Sequence, residues 1–265
     1  MEEKKNTGKV VLAGAGPGDP ELITVKLQKR LAGADVIITD RLANPSIISQ
    51  HAHKDAEIIF AGKQGYNEAS LSQEEITAMI IRYALSGKTV LRLKGGDVAF
   101  FSNVADELKA LQQHDLPVEI IPGITAASGA SAYAGIPLTA RGYAQAVQFI
   151  AFNPNNDLKD EQWQALAATR DTLVFYMASK NLLPLVAQLL IHSKDPLTPL
   201  AVIEQATTPH QKVYTTVLEQ CAADFAGLQF SSPSLVIVGK VVELHQQFAW
   251  YKANEDGTVF KELKG

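Results

Sequence analysis

The sequence has a single cysteine, Cys221, among 265 residues. One thiol excludes an internal disulfide framework and any zinc site built from several cysteines, which leaves Cys221 to packing and makes a reducing, cytoplasmic setting the default expectation. Positive charge is not in excess either: 24 Lys plus Arg stand against 28 Asp plus Glu, for a net charge of −4. A nucleic-acid partner normally needs a basic stripe or a strongly basic domain, so none is expected, and an anionic ligand must be held by a local cluster. Long apolar runs are missing. The longest, "TLVFYMA" and "SLVIVG", are strand-sized and fall short of the roughly 20 residues that span a bilayer, so no membrane segment is expected. The opening MEEKKNT mixes both charge signs and has no apolar h-region, so residues 1–8 read as a solvated tail and not as a signal peptide. There is no G-x-S-x-G nucleophile elbow and no complete P-loop. His51 and His53 flank Ala52 without a carboxylate at helical ligand spacing, and no metal site is expected.

What the chain does have is a full complement of core-forming residues, 46% hydrophobic against 20% charged, as in a folded globular protein. Short β-branched runs bounded by turn residues recur in the first half: "KVVLAG", "ADVIITD", "AEIIFAG", "KTVLRLKGG" and "PVEIIPG". Between several of them lie helical spacings, at 21–31, 73–85 and 104–113. Alternating strand and helix predicts a mostly parallel α/β domain over 9–122. Beyond Pro122 comes "GITAASGASAYAGIPL", a small-residue stretch that reads as a tightly packed helix. The strand-like runs "AVQFIAF", "DTLVFYM", "PLAVIEQAT", "KVYTTVL" and "SLVIVGKVV" follow, with helices expected at 160–168, 181–191 and 218–225. This predicts a second domain over 123–265 with a mixed sheet.

Two glycine clusters carry the chemistry. The first, "GAGPGDPEL" from Gly14 to Leu22, follows a strand as a dinucleotide loop would, yet its glycines are spaced G-x-G-x-G. The pyrophosphate fingerprint needs the third glycine one residue later and free backbone N–H groups, and Pro17 removes one of those donors. Taken alone the loop is a weak nucleotide signal or simply a tight turn. The second cluster, "RLKGGDVAFF" from Arg92 to Phe101, again puts two glycines and an acid at the end of an apolar strand, and "PGITAAS" ends a further strand. Loops that leave one edge of a parallel sheet share a ligand crevice. Gly95 and Gly96 let the backbone approach a flat ligand. Asp97 suits a hydroxyl pair or an ammonium group, or serves as a helix N-cap.

Together with "ADVIITDRL", "AGKQG", "PGITAASGASAYAGIPLT", "TLVFYM" and "EQATTPHQKV", these motifs give a chain that resembles the uroporphyrinogen-III C-methyltransferases from about Lys9 to Leu244. The resemblance implies a two-domain tetrapyrrole methylase fold with S-adenosyl-L-methionine in the cleft between the domains, a homodimer, and a tetrapyrrole substrate. It implies cofactor contacts at Pro17, Gly95, Gly96, Asp97, Phe100, Thr125, Ala126, Met177 and Ala206, and a proton acceptor and donor at Asp40 and Lys63. Uroporphyrinogen III carries eight carboxylates, so Arg41, Lys63, Arg92, Lys94 and Arg141 are expected to pair with some of them. Arg92 has a second reading as a strand residue facing solvent. The family pattern is altered on the substrate side: Asn103 stands where an arginine is usual, Gln64 follows Lys63 in place of arginine, and Ala140 replaces a histidine. An asparagine cannot replace a bidentate guanidinium toward a carboxylate. Cofactor-facing positions are largely kept.

Overall fold

A computed structural model describes residues 7–61, 71–153 and 158–260. Lys63 and Gln64 lie outside the described residues. Contacts divide the chain after Ala126 and again after Gly257, so that residues from Thr258 onward count with the first unit and Ala127–Gly257 form the second. The sequence places its own boundary in the turn just before, at 122–123.

The first unit is built on five parallel strands, β1 (Val10–Gly14), β2 (Val36–Thr39), β3 (Glu57–Phe60), β4 (Val90–Lys94) and β5 (Val118–Ile121), in the order β3-β2-β4-β1-β5. Burial follows this order. The inner strands β1, β2 and β4 are buried along their whole length, whereas the edge strands β3 and β5 expose residues such as Ile58 and Ile120. Continuous apolar runs belong in the middle of a parallel sheet covered on both faces. On one face Val11, Ala13, Ile37, Leu91 and Leu93 pack against Leu27, Leu31 and Ile47 of helices α1 (Val25–Leu31) and α2 (Pro45–His51). On the other, Val10, Leu12, Val36, Ile38 and Val90 meet Ile76, Ile80 and Leu111 of α3 (Gln73–Leu85) and α4 (Val104–Gln113).

Caps fix where these helices start. The Thr24 hydroxyl accepts from the Leu27 N–H, and Ser72 with Glu75 closes a reciprocal capping box. The helix expected over 21–31 is two pieces, because Asp19 caps a separate 3-10 turn at Pro20–Leu22 and Thr24 restarts the chain as α1. Helix α2 falls outside the helical spacings read from the sequence. Its start signal, Asn44 as cap and Pro45 at the first helical position, is a standard one that went unread.

In the second unit β6 (Val147–Ala151), β7 (Thr172–Tyr176), β8 (Pro199–Glu204), β9 (Lys212–Val217) and β10 (Ser234–Val238) form the expected mixed sheet, ordered β6-β7-β10-β8-β9. β6 and β7 are parallel and the remaining pairs antiparallel. Helices α5 (Ala126–Ala134), α6 (Asp160–Ala168), α7 (Leu182–Ile191), α8 (Cys221–Asp224) and α9 (His245–Phe248) accompany it. One core gathers Phe152, Trp163, Phe175, Leu185, Leu189, Val202 and Val236. Cys221 sits in this core, fully buried, and burial pushes its thiol up to about 11. The helix expected over 218–225 shrinks to α8 after a 3-10 turn at Leu218–Gln220.

Candidate active site

The register of the first sheet brings three of the predicted loops to one edge. Gly14 pairs with Lys94, Ala13 with Ile121 and Thr39 with Leu93, so β1, β2, β4 and β5 end together. The loops after β1 and β4 are then stitched: Ala15 N–H donates to the Lys94 carbonyl at 2.7 Å, and Gly16 and Gly96 exchange two backbone hydrogen bonds of 3.0 and 2.8 Å. A side chain has no room at this crossing. A Cβ on Gly123 would lie 2.2 Å from the Gly96 carbonyl oxygen, and one on Gly14 would lie 2.5 Å from the same atom. Pro17 is buried, and the Asn44 amide holds the Gly18 carbonyl at 2.8 Å, tying α2 to the opening loop. The N–H groups of Ala15, Gly16, Gly96 and Gly123 are thus spent inside the protein, and Pro17 has none. A pyrophosphate would find few donors here.

Asp97 is 6% exposed and uses both oxygens. One accepts from Ala99 N–H at 2.7 Å and the other from Gly123 N–H at 2.7 Å, so the carboxylate staples the β4 loop to the turn after β5. It is not a helix cap. Its negative charge stays at the strand ends, where it suits a cation or a hydroxyl donor. Gly95 sits against Leu42, and Phe100, 38% exposed, donates its N–H to the Asp97 carbonyl. Thr125 closes the turn before α5 and Ala126 is the first residue of that helix, both half-buried.

At the end of β2, one Asp40 oxygen accepts from Leu42 N–H at 2.9 Å and the other lies 3.7 Å from the Arg92 guanidinium. Burial holds the Arg41 guanidinium below its ordinary value, with Asp40 pulling the other way. Arg92 does not face solvent: it is 4% exposed, and its Nε lies 3.4 Å from Oε1 of Glu107 in α4. Lys94 Nζ is 3.0 Å from Oε2 of Glu107 and donates to the Ser102 carbonyl. The Lys94–Glu107 contact is an ion pair by distance without hydrogen-bond alignment, since Oε2 has no hydrogen-bond partner. Burial lowers the Lys94 pKa, which Glu107 partly offsets. Arg92 and Lys94, two of the five cations expected to meet substrate carboxylates, are therefore paired within the unit.

Residues 9–222 match the sequence profile of the tetrapyrrole (corrin/porphyrin) methylases. The chain belongs to this family. The siroheme synthase of Pseudomonas aeruginosa strain PAO1 is 43% identical over 251 residues, 94% of this chain and 54% of that protein. That of Nitrosomonas europaea is 41% identical over 250 residues, 94% of this chain and 52% of that protein. The chain thus spans about half the length of the curated relatives it matches. Among solved structures, uroporphyrin-III C-methyltransferase from Thermus thermophilus superposes with a TM-score of 0.76 at 33% identity, covering 92% of this chain and 98% of that one. The same Thermus enzyme complexed with S-adenosylhomocysteine gives 0.74 at 31% identity, covering 89% and 94%. A cobalt-precorrin-4 methyltransferase gives 0.78 at 25% identity, covering 88% and 95%.

The second unit of this tetrapyrrole methylase carries Met177, Ala206 and Arg141. Met177 follows β7 with a φ of 61°, a left-handed conformation that non-glycine residues adopt at a cost, and its side chain is 62% exposed. Ala206 sits between Gln205 and Thr207, both also left-handed, in a turn after β8 held by the Gln211 side chain accepting from Thr207 N–H. Arg141, exposed, borders an open surface depression with Thr139, Ala140, Ala144 and Gln145. In the first unit Asn103 is left-handed and exposed at the start of α4, pointing no charge at a ligand.

Glu107 was missed by the sequence reading. Its signal was available: in "VADELKALQQ" it shares the face of Val104, Leu108 and Leu111, so an acid falls on the apolar stripe of an amphipathic helix.

Proposed function

We propose that this chain transfers methyl groups from S-adenosyl-L-methionine to two pyrrole carbons, C2 and C7, of uroporphyrinogen III, giving precorrin-2 by way of precorrin-1, for sirohaem or cobalamin synthesis. The observation that carries this reading is the strand-end cradle. Four of its backbone donors, those of Ala15, Gly16, Gly96 and Gly123, are already used, a buried proline lines it and one carboxylate stands beside it, which fits a cationic nucleoside without phosphates better than a dinucleotide. The family membership and the named neighbours point the same way.

When bound, the cofactor supplies a methyl group on a sulfonium, which an electron-rich pyrrole carbon attacks. Pro17, Gly95, Gly96, Asp97, Phe100, Thr125 and Ala126 are the residues of the first unit that would hold it; the resemblance also assigns it Met177 and Ala206 of the second. They align the reacting atoms and exclude water, which is most of what an in-line transfer asks of a protein. Asp40 takes up the proton that the methylated ring sheds, and Lys63 returns one. Arg41, Lys63 and Arg141 pair with substrate carboxylates. The same reading makes the enzyme a homodimer, as the resemblance implies, in the cytoplasmic setting expected from its single cysteine; a sedimentation mass of a single protomer overturns the dimer, and recovery in a membrane or secreted fraction overturns the location.

The altered substrate-side positions, Asn103 within 98–105 together with Gln64 and Ala140, support a second reading, a sister enzyme acting on a later precorrin, or a homologue that binds without turnover. Incubation with uroporphyrinogen III and labelled cofactor separates them. Two methyl groups transferred is the expected result. Methylation only of an already methylated precorrin favours the sister enzyme, and tight cofactor binding without transfer removes catalysis from the proposal.

A further inference from the structure

The least expected group in the first unit is a buried anion. Glu107 is fully buried, one turn into α4, and three polar side chains converge on it. Arg92 Nε lies 3.4 Å from Oε1, Gln73 Nε2 donates to Oε1 at 3.0 Å, and Lys94 Nζ is 3.0 Å from Oε2. The side chains of β4 explain the meeting. Leu91 and Leu93 point to the α1 and α2 face, so Val90, Arg92 and Lys94 point to the α3 and α4 face. Two cations there need a counter-ion, and burying an unpaired charge is costly.

Arg92 does more than neutralise. Beyond Glu107, its Nη1 donates to the carbonyls of Ile38 and Leu93 at 3.4 and 3.2 Å, and its Nη2 reaches Asp40 at 3.7 Å. The guanidinium therefore has one end fixed in the core by Glu107 and the other turned toward the carboxylate at the end of β2. A planar, rigid fork transmits orientation in a way that an ammonium does not.

We propose that Glu107 is a positioning residue: by clamping Arg92 it sets the orientation of the Asp40 carboxylate, so that a helix residue remote from the reacting atoms governs the proton-accepting step. This rests on Asp40 acting as the base in the function proposed above. A displaced base loses rate while cofactor binding, which Asp40 does not carry, is kept.

Three measurements on the full chain test it. In single-turnover methyl transfer, Glu107→Gln slows the step by roughly 10- to 100-fold, and S-adenosylhomocysteine affinity by calorimetry stays at the wild-type value. The double variant with Asp40→Asn is no slower than Asp40→Asn alone; effects that multiply overturn the proposal. Glu107→Asp keeps the charge but shortens the reach, and it remains slow; full rescue reduces Glu107 to a counter-ion and overturns the proposal. Independently of activity, the Arg92 Nε–H resonance in a ¹⁵N spectrum is protected from exchange in the wild type and in Asp40→Asn and loses that protection in Glu107→Gln. Undiminished protection in Glu107→Gln overturns the clamp even if the chain methylates another substrate, whereas a wild type that transfers no methyl group overturns the proposed function and leaves the spectrum to decide the clamp.

Discussion

At the scale of single residues, Asp97 is an architectural staple to which we also assign a place in the proposed cofactor site. Its two oxygens hold the N–H groups of Ala99 and Gly123, so Asp97→Ala strands two donors at the edge of the sheet. Ala99 is exposed and Gly123 only half-buried, so each donor left without its partner costs about 1 kcal/mol or less, and the β4 loop loses its tie to the turn after β5. Asp97→Ala is expected to unfold at lower denaturant and to bind S-adenosylhomocysteine at least about tenfold more weakly, roughly one charge-assisted contact. Unchanged affinity by calorimetry removes Asp97 from the cofactor site and leaves it a staple. Asp97 was legible in the sequence as an acid after two glycines, but its partner was not, because Gly123 lies on a different strand end and only the parallel register brings the two together.

At the scale of elements, the exposed edge of β5 is secured by charge. Glu119 receives Lys9, Lys26 at 2.9 Å and Arg30 at 2.8 Å, which draws α1 and the start of β1 onto that edge. Hydrogen bonds from Arg30, then Lys9 and Lys26, hold its carboxyl well below the usual carboxylate range. A depressed folded pKa contributes stability that is present above the unfolded value, about 4.3, and lost as the pH falls below it. Glu119→Gln is therefore expected to be less stable than the wild type by on the order of 1 kcal/mol at pH 7, since the three cations are themselves well exposed. The gap should close on acidification below about pH 4. Urea midpoints across pH 3 to 8 measure this, and a gap that is constant or widens at low pH contradicts it. The strands themselves were all legible, since five apolar runs in each half became five strands. Helix ends were less so. Asp19 and Thr24 split one expected helix, and α2 was overlooked because its apolar stripe, Ile47 and Ile48, is too short to stand out by periodicity.

At the scale of the whole molecule, a net charge of −4 provides no attractive field for a polyanionic tetrapyrrole. Under the function proposed above, binding such a substrate would fall to short-range contacts from Arg41, Lys63 and Arg141. Screening shortens the reach of charge from roughly 10 Å at 0.1 M salt to about 3 Å at 1 M. The substrate KM is expected to rise several-fold over this range, while S-adenosylhomocysteine affinity changes less than about twofold because shape and apolar contact dominate there. Equal salt sensitivity of both, in steady-state kinetics and calorimetry, counts against this division of labour.

The sequence by itself determined the alternation of strands and helices, the parallel character of the first sheet, the mixed second sheet and the glycine-rich strand ends. Each is set by local preference and by the period of apolar residues along the chain. Only the tertiary structure decided what the charged residues near those ends do. Arg92 and Lys94, read from the sequence as open to substrate, are committed to Glu107. The N–H groups of Ala15, Gly16, Gly96 and Gly123, which a phosphate could have used, are committed to neighbouring protein groups. Periodicity shows which face of a strand a residue occupies, but pairing depends on which helix lies over that face, and that is fixed by contacts between residues distant in the chain.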